Sequence, residues 1–190
     1  MTEVRPSQRM RDLGVVQHGA PALYTPSTAF DLPAERATAE LVIDQLTEAM
    51  DRIARAHDFS GKGMGLAAPQ INIAHAAAAV RPAAPGAETL VLLNPRITAS
   101  SDEIDEQYEG CLSFFDVRGV VPRPLRITVE TTALDGSKVT TVYERGLARL
   151  VQHEVDHLEG HLYIARMRPG VDPIPVEEYR QTGRAWAYDQ

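Results

Sequence analysis

Apolar residues recur at three- and four-residue steps in two stretches of this chain, and at every second residue in several others. Over 33–57, Val42, Leu46, Ala49, Met50 and Ile53 share one face, while Glu35, Asp44, Glu48 and Arg52 occupy the rest. That spacing predicts an amphipathic helix. Pro33 suits its first turn, Asp31 is a cap near that end, and Gly61 and Gly63 stop it. His57 lies near the helix C-terminus, on the surface, where positive charge is favoured. A second helix is predicted from about 146 to 158, with Leu147, Leu150, Val151 and Leu158 as its apolar stripe and Gly160 at the C-cap position.

Strands are predicted at 71–80 and 89–94, divided by a Pro- and Ala-rich turn, with a further short one at 97–104. His75 reads as a strand-face residue. More strands fall at 117–121 and 125–133, the latter alternating Ile127, Val129 and Thr131 against Arg126, Thr128 and Glu130. Asp135-Gly136 is a hairpin turn signal, with 137–144 returning antiparallel. Residues 162–164 read as a final strand and 176–188 as a short helix. The acidic patch Asp102, Glu103, Asp105, Glu106 reads as a solvated loop. Residues 1–30 lack periodicity and contain Pro21 and Pro26, so they read as an arm, with His18 in a turn; 169–190 reads as a proline-marked tail. The order helix, strands, hairpin, helix predicts an α+β fold, a single domain over 1–190.

Composition narrows the setting. A net charge of −7 argues against a nucleic-acid footprint, which needs a basic face. No apolar run approaches the roughly 20 residues of a membrane span, and no signal-peptide core follows the N-terminal arginines. A single cysteine, Cys111, cannot form an internal disulfide and fits a reducing cytoplasm.

The second helix carries the chemistry. Gln152-His153-Glu154-Val155-Asp156-His157 contains His-Glu-x-x-His. Residues four apart on a helix lie about 40° apart on one face and about 6 Å apart along the axis, so two imidazoles so placed reach one metal ion. Glu154 is then a base for water at that metal. A third protein ligand is needed. The metzincin pattern places a histidine ten residues after the first, where this chain has Tyr163. A later glutamate, Glu177 or Glu178, falls in the proline-rich tail. Cys111 is the better candidate, because a Cys/His/His set leaves one tetrahedral position open. Its bland alternative is a small buried apolar residue. Gly63-Met64-Gly65-Leu66-Ala67-Ala68-Pro69-Gln70 is too glycine-rich for a helix and too apolar for an ordinary loop, and its Gln70 offers an amide donor.

These segments, with Glu109-Gly110-Cys111-Leu112-Ser113, resemble in order and spacing the three signature motifs of the peptide deformylases, over roughly residues 15–168. The resemblance implies antiparallel sheets packed around a central metal-binding helix. It implies hydrolysis of the formyl group from N-formylmethionyl peptides, an N-terminal processing step of bacterial protein biosynthesis on nascent chains, with transient ribosome contact. Cys111, His153 and His157 would bind one divalent metal, usually ferrous iron, with zinc, nickel or cobalt able to substitute. Glu154, Gln70 and the Leu112 backbone N–H would be catalytic. Met64, Gly65, Gln107, Gly110, Arg118 and Gly146 would contact substrate, and Glu109 and Gln152 would hold the ligands. Asp156 matches the motif too, with an outward-facing structural role.

The departures from the family pattern cluster around the substrate pocket. Phe114-Phe115-Asp116 intervenes before Arg118, Gly146 stands where a bulky residue is usual, Gln107 where an aliphatic one is, Asn72 where glycine is, and Ala165 where aspartate is. They predict an enlarged pocket at Gly146 and a side-chain preference shifted from methionine. A specialised paralogue acting on another formylated substrate, and a metal-binding relative without turnover, are the alternatives.

Overall fold

Small side chains in the middle of one strand let helices close on both of its faces, and the fold is arranged around that strand. The computed structural model describes residues 5–57, 59 and 62–184. In it, helix α1 is Pro6–Asp12 and helix α2 is Arg36–Ala56. Strands β1 (Met64–Ala67), β2 (Ala77–Arg81) and β3 (Leu90–Leu93) form an antiparallel sheet in the order β1-β2-β3. Ala77 and Ala79 face α2, in a core with Val42, Leu46, Met50 and Ile53, while Ala78 and Val80 join Val151 and Val155 in a second core. Both faces are covered, which explains why β2 is apolar throughout and does not alternate.

The second core is closed by another antiparallel sheet, β4 (Arg96–Ser100), β7 (Arg126–Thr132) and β8 (Lys138–Glu144), in the order β4-β7-β8. Ile127, Val129 and Tyr143 supply its inward side chains. Helix α3 (Arg145–Leu158) lies between these two sheets. A third sheet pairs β5 (Ile104–Cys111), β6 (Phe114–Pro124) and the two-residue β9 (Ile174–Pro175), ahead of helix α4 (Val176–Gln181). The architecture is α+β, with antiparallel sheets around a central helix.

Several elements differ from the expectation. The arm contains α1 and a 3-10 turn at Pro21–Tyr24, both too short to establish periodicity. Pro33 precedes α2 instead of opening it, and no side chain caps its first turn; Glu35 Oε2 accepts from the Asp31 N–H at 2.6 Å. A 3-10 turn spans Ala68–Ile71 and residues 72–76 are loop, and Asn72 takes φ of +62°, a conformation that glycine adopts freely and asparagine tolerates. Only half of the acidic patch is loop: Asp102 and Glu103 are exposed ahead of the strand, whereas Asp105 and Glu106 belong to β5. Residues 162–164 form no strand; a 3-10 turn spans Tyr163–Arg166, with Ala165 exposed on it. The tail helix ends at Gln181, and the remainder of that prediction, 185–188, lies outside the described residues, as does Gly61. His75 lies in an isolated bridge to Thr28 and stacks on Phe30 at 4.5 Å.

Candidate metal centre and active site

Helix α3 ends in a buried turn, and two histidines on it face the end of β5. The β5–β6 register shifts between Glu109 and Cys111, where the strand closes on a two-residue turn at Leu112-Ser113. That irregularity delivers Cys111 to α3. One ligand atom each from Cys111, His153 and His157 lies within 4.8 Å of the others, and Cys111 Sγ is 3.2 Å from His157 Nε2. Tetrahedral coordination at usual bond lengths separates such atoms by about 3.3–3.6 Å, so this set fits a divalent cation with little movement. Gly160, φ +80°, and the His161 N–H to Asp156 carbonyl bond of 2.8 Å finish the helix just beyond His157.

Each ligand is held differently. His153 Nδ1 lies 3.0 Å from Glu109 Oε2, and its ring stacks on Tyr163 with centroids 6.1 Å apart. Burial opposes charge on His153, but its contacts with Cys111 and Glu109 hold it well above the usual histidine range. Burial, and then the charge of His153, push His157 well below that range. His157 Nδ1 is buried with no hydrogen-bond partner. Metal binding needs both imidazoles neutral and the thiol ionised, so loading releases protons.

Glu154 stands beside the set at 2% exposure, and its Oε2 has no partner. Burial pushes its carboxyl up to about 7, which is the range of a working base near neutral pH. A Cβ at Gly65 would overlap the Glu154 carboxylate, so β1 must carry glycine there for the base to fit. Gln70 Oε1 accepts from the Ala67 N–H at 2.9 Å, which aims Nε2 at Ser113 Oγ (3.2 Å) and Cys111 Sγ (3.6 Å). The Leu112 carbonyl accepts from Gln17 Nε2 at 3.1 Å, which fixes the turn carrying its N–H.

Behind the histidines lies an ionic cluster that the sequence reading missed. Arg123 donates to both oxygens of Glu109 (2.8 and 2.9 Å) and to Asp156 Oδ2 (2.7 Å). Arg149 donates to Glu109 Oε1 (2.7 Å) and Asp105 Oδ1 (2.5 Å), and Arg166 to Asp156 Oδ1 (2.7 Å). Asp156 is therefore inward-facing and 4% exposed, not outward. Burial opposes the charge of Glu109, yet Arg123 outweighs it and holds the carboxyl well below the usual range. Nothing in the spacing of Arg123 and Asp156 marks them as partners; only the β6–α3 packing brings them together. Gln152 bonds the carbonyls of Pro124 and Ala148 at 3.1 Å, fastening α3 to the end of β6.

A cavity of about 760 Å³ opens onto this centre, lined by Met64, Gly65, Gln70, Gly110, Cys111, Leu112, Arg118, His153 and Glu154 among others. Gln107 and Gly146 are not on its wall. Gln107 bonds Asp105 Oδ2 at 2.5 Å, and Gly146 is buried at the start of α3. The helix lines the cavity through Arg149, Leu150, His153 and Glu154, so the enlargement expected at Gly146 has no geometric basis.

Three protein ligands leave a coordination position for water, and a buried base within reach makes the chemistry hydrolytic. The fold and site are those of a metal-dependent hydrolase. The family model for polypeptide deformylase matches residues 13–172. The chain belongs to the peptide deformylase family, and its activity is peptide deformylation. A peptide deformylase 2 from a Nostoc species is 35% identical over 176 residues, 89% of this chain and 93% of its own length. Among solved structures, a class I type b peptide deformylase from Acinetobacter baumannii matches with a TM-score of 0.69 and 33% identity, over 81% of this chain and 97% of its own. One from Synechococcus elongatus, solved with actinonin, matches with a TM-score of 0.69 and 29% identity, over 82% and 79%.

Proposed function

We propose that the protein cleaves the formamide of N-formylmethionyl peptides, giving formate and a free amine, with Glu154 moving the proton. The observation that carries this is the buried triad of Cys111, His153 and His157 beside a carboxylate with an unpartnered oxygen. Cys111, His153 and His157 would hold a divalent cation, which when bound would supply a Lewis acid for the formyl oxygen and for water. Glu154 accepts a proton from the attacking water, whose oxygen bonds to the formyl carbon. As the carbon–nitrogen bond breaks, Glu154 returns that proton to the leaving amine. The Gln70 side-chain amide and the Leu112 N–H donate to the oxygen that gains charge, Gln70 by giving up its Ser113 partner. Met64, Leu150 and Phe115 supply an apolar wall suited to a methionine side chain.

The thiolate and two imidazoles suit ferrous iron, with zinc, nickel or cobalt as substitutes. Formylated nascent chains as substrates place the protein in the cytoplasm, in transient contact with ribosomes. No helix among the described residues is long and apolar enough to cross a membrane. The test is formate release from a formyl-Met peptide by protein prepared anaerobically with iron or reconstituted with nickel. Release that depends on the metal supports the proposal; none under either condition refutes it.

A further inference from the structure

Four arginines among the described residues are buried or partly buried: Arg81, Arg118, Arg123 and Arg149. Arg81 pairs with Asp51, Arg123 with Glu109 and Asp156, and Arg149 with Glu109 and Asp105. Arg118 alone has no carboxylate partner among the described residues. Its Nη1 donates to the carbonyls of Phe115 (2.9 Å) and Val117 (2.7 Å), and its guanidinium lies 4.9 Å from the Phe115 ring centre. Room for it is kept by Gly110, whose Cβ would overlap the guanidinium. A partly buried cation without a counter-charge is costly and is ordinarily paired. This one faces the cavity.

More positive charge surrounds it. The β9–β6 pairing of Arg118 with Ile174 sets α4 beside Arg118. Burial pulls the Arg118 guanidinium below its usual range, against the opposing pull of Tyr163, Tyr179 and Cys111. The like charge of Arg180 adds a smaller push in the same direction as burial. Arg9, Lys62, Arg180 and Arg184 also line the cavity, and none has an ion pair among the described residues. Against these stand Asp12 and, at the inner end, the buried Glu154; Glu109 is neutralised by Arg123 and Arg149, and Glu177 and Glu178 do not line the cavity. A protein of net charge −7 thus keeps a cationic outer cavity, where low-dielectric walls concentrate the field.

We infer that the outer cavity binds a carboxylate, so that the favoured substrates are N-formyl peptides bearing an acidic side chain or a free C-terminus beyond the formylated residue. This rests on the deformylase activity and names its substrate class. The test measures kcat/KM for formate release from formyl-Met-Ala-Ala amide, the same peptide as free acid, and formyl-Met-Ala-Glu amide, using native protein and Arg180→Glu. At least one anionic peptide should be preferred over the neutral amide by about three- to tenfold. The ratio should fall toward one, or below it, in Arg180→Glu, and toward one in high salt. Which anionic peptide gains distinguishes side chain from terminus. Each ratio is internal to one protein, so incomplete folding of the variant does not move it. Equal values for all three peptides, or a ratio unchanged in Arg180→Glu, overturns the inference while leaving the deformylase activity intact. No formate from any peptide removes both.

Discussion

Glu154 is buried with one oxygen unpartnered and its carboxyl raised to about 7, from 4.5 for a free side chain. A group whose pKa is raised in the folded state contributes stability that is complete below about pH 4.5 and lost as pH rises through about 7. Metal-stripped Glu154→Gln should therefore be more stable than the native metal-stripped protein at pH 8, by about 2–4 kcal/mol, with the gap closing toward pH 4.5. Denaturant melts at the two pH values check this; a gap independent of pH would show that Glu154 is not the titrating group. The same variant should bind metal and lose about 10²- to 10⁴-fold in kcat, because the base is gone while the ligands remain. Gly65 makes a parallel test. Gly65→Ala pushes its methyl into the Glu154 carboxylate, so kcat should fall by about a hundredfold with metal content unchanged. Native turnover in that variant would mean that the carboxylate can sit elsewhere.

The β6–α3 contact is where an element depends on paired charge. Arg123 is 4% exposed and holds Glu109 and Asp156 together. Arg123→Met should cost about 3–5 kcal/mol, because it strands two buried carboxylates and frees the residue that orients His153. A urea midpoint within error of the native value would contradict this. These pairs also mark the limit of what the sequence discloses. Helix α3 was legible because its apolar stripe, its histidine spacing and Gly160 all agree. Helix α2 was legible from Val42, Leu46, Met50 and Ile53. Helix α1 was not, because seven residues complete too few turns to show a face. Strand β5 was misread because its charges look solvated, whereas Asp105 is bound by Arg149. The departures at Phe114-Phe115-Asp116 acquire meaning only in three dimensions. Phe114 stacks on His18 at 4.3 Å, Phe115 lies under Arg118, and Asp116 accepts from the Ser7 N–H at 2.9 Å, tying α1 to the cavity edge.

At the scale of the whole molecule, the three sheets divide the labour. The first covers α2 and presents Gly65 to the base, the second closes the core behind α3, and the third brings Cys111 and Arg118 to the cavity. The metal ligands come from helix α3 and from the end of β5, so the centre should couple α3 to the β5–β6 hairpin. All three ligands were legible: two from helical spacing and the third from a motif. The cationic outer cavity was not, since Arg9, Arg118 and Arg180 are far apart in sequence and meet only when both terminal segments dock on β6. The most direct test of the account is an anaerobic cobalt(II) titration of metal-free protein, reading thiolate-to-cobalt absorption and formate release together. Both should rise in parallel and saturate at one ion per chain, and Cys111→Ser should lose the absorption band and bind cobalt more weakly. Formate release that is complete before cobalt binds, or an absorption band unchanged in Cys111→Ser, would contradict it.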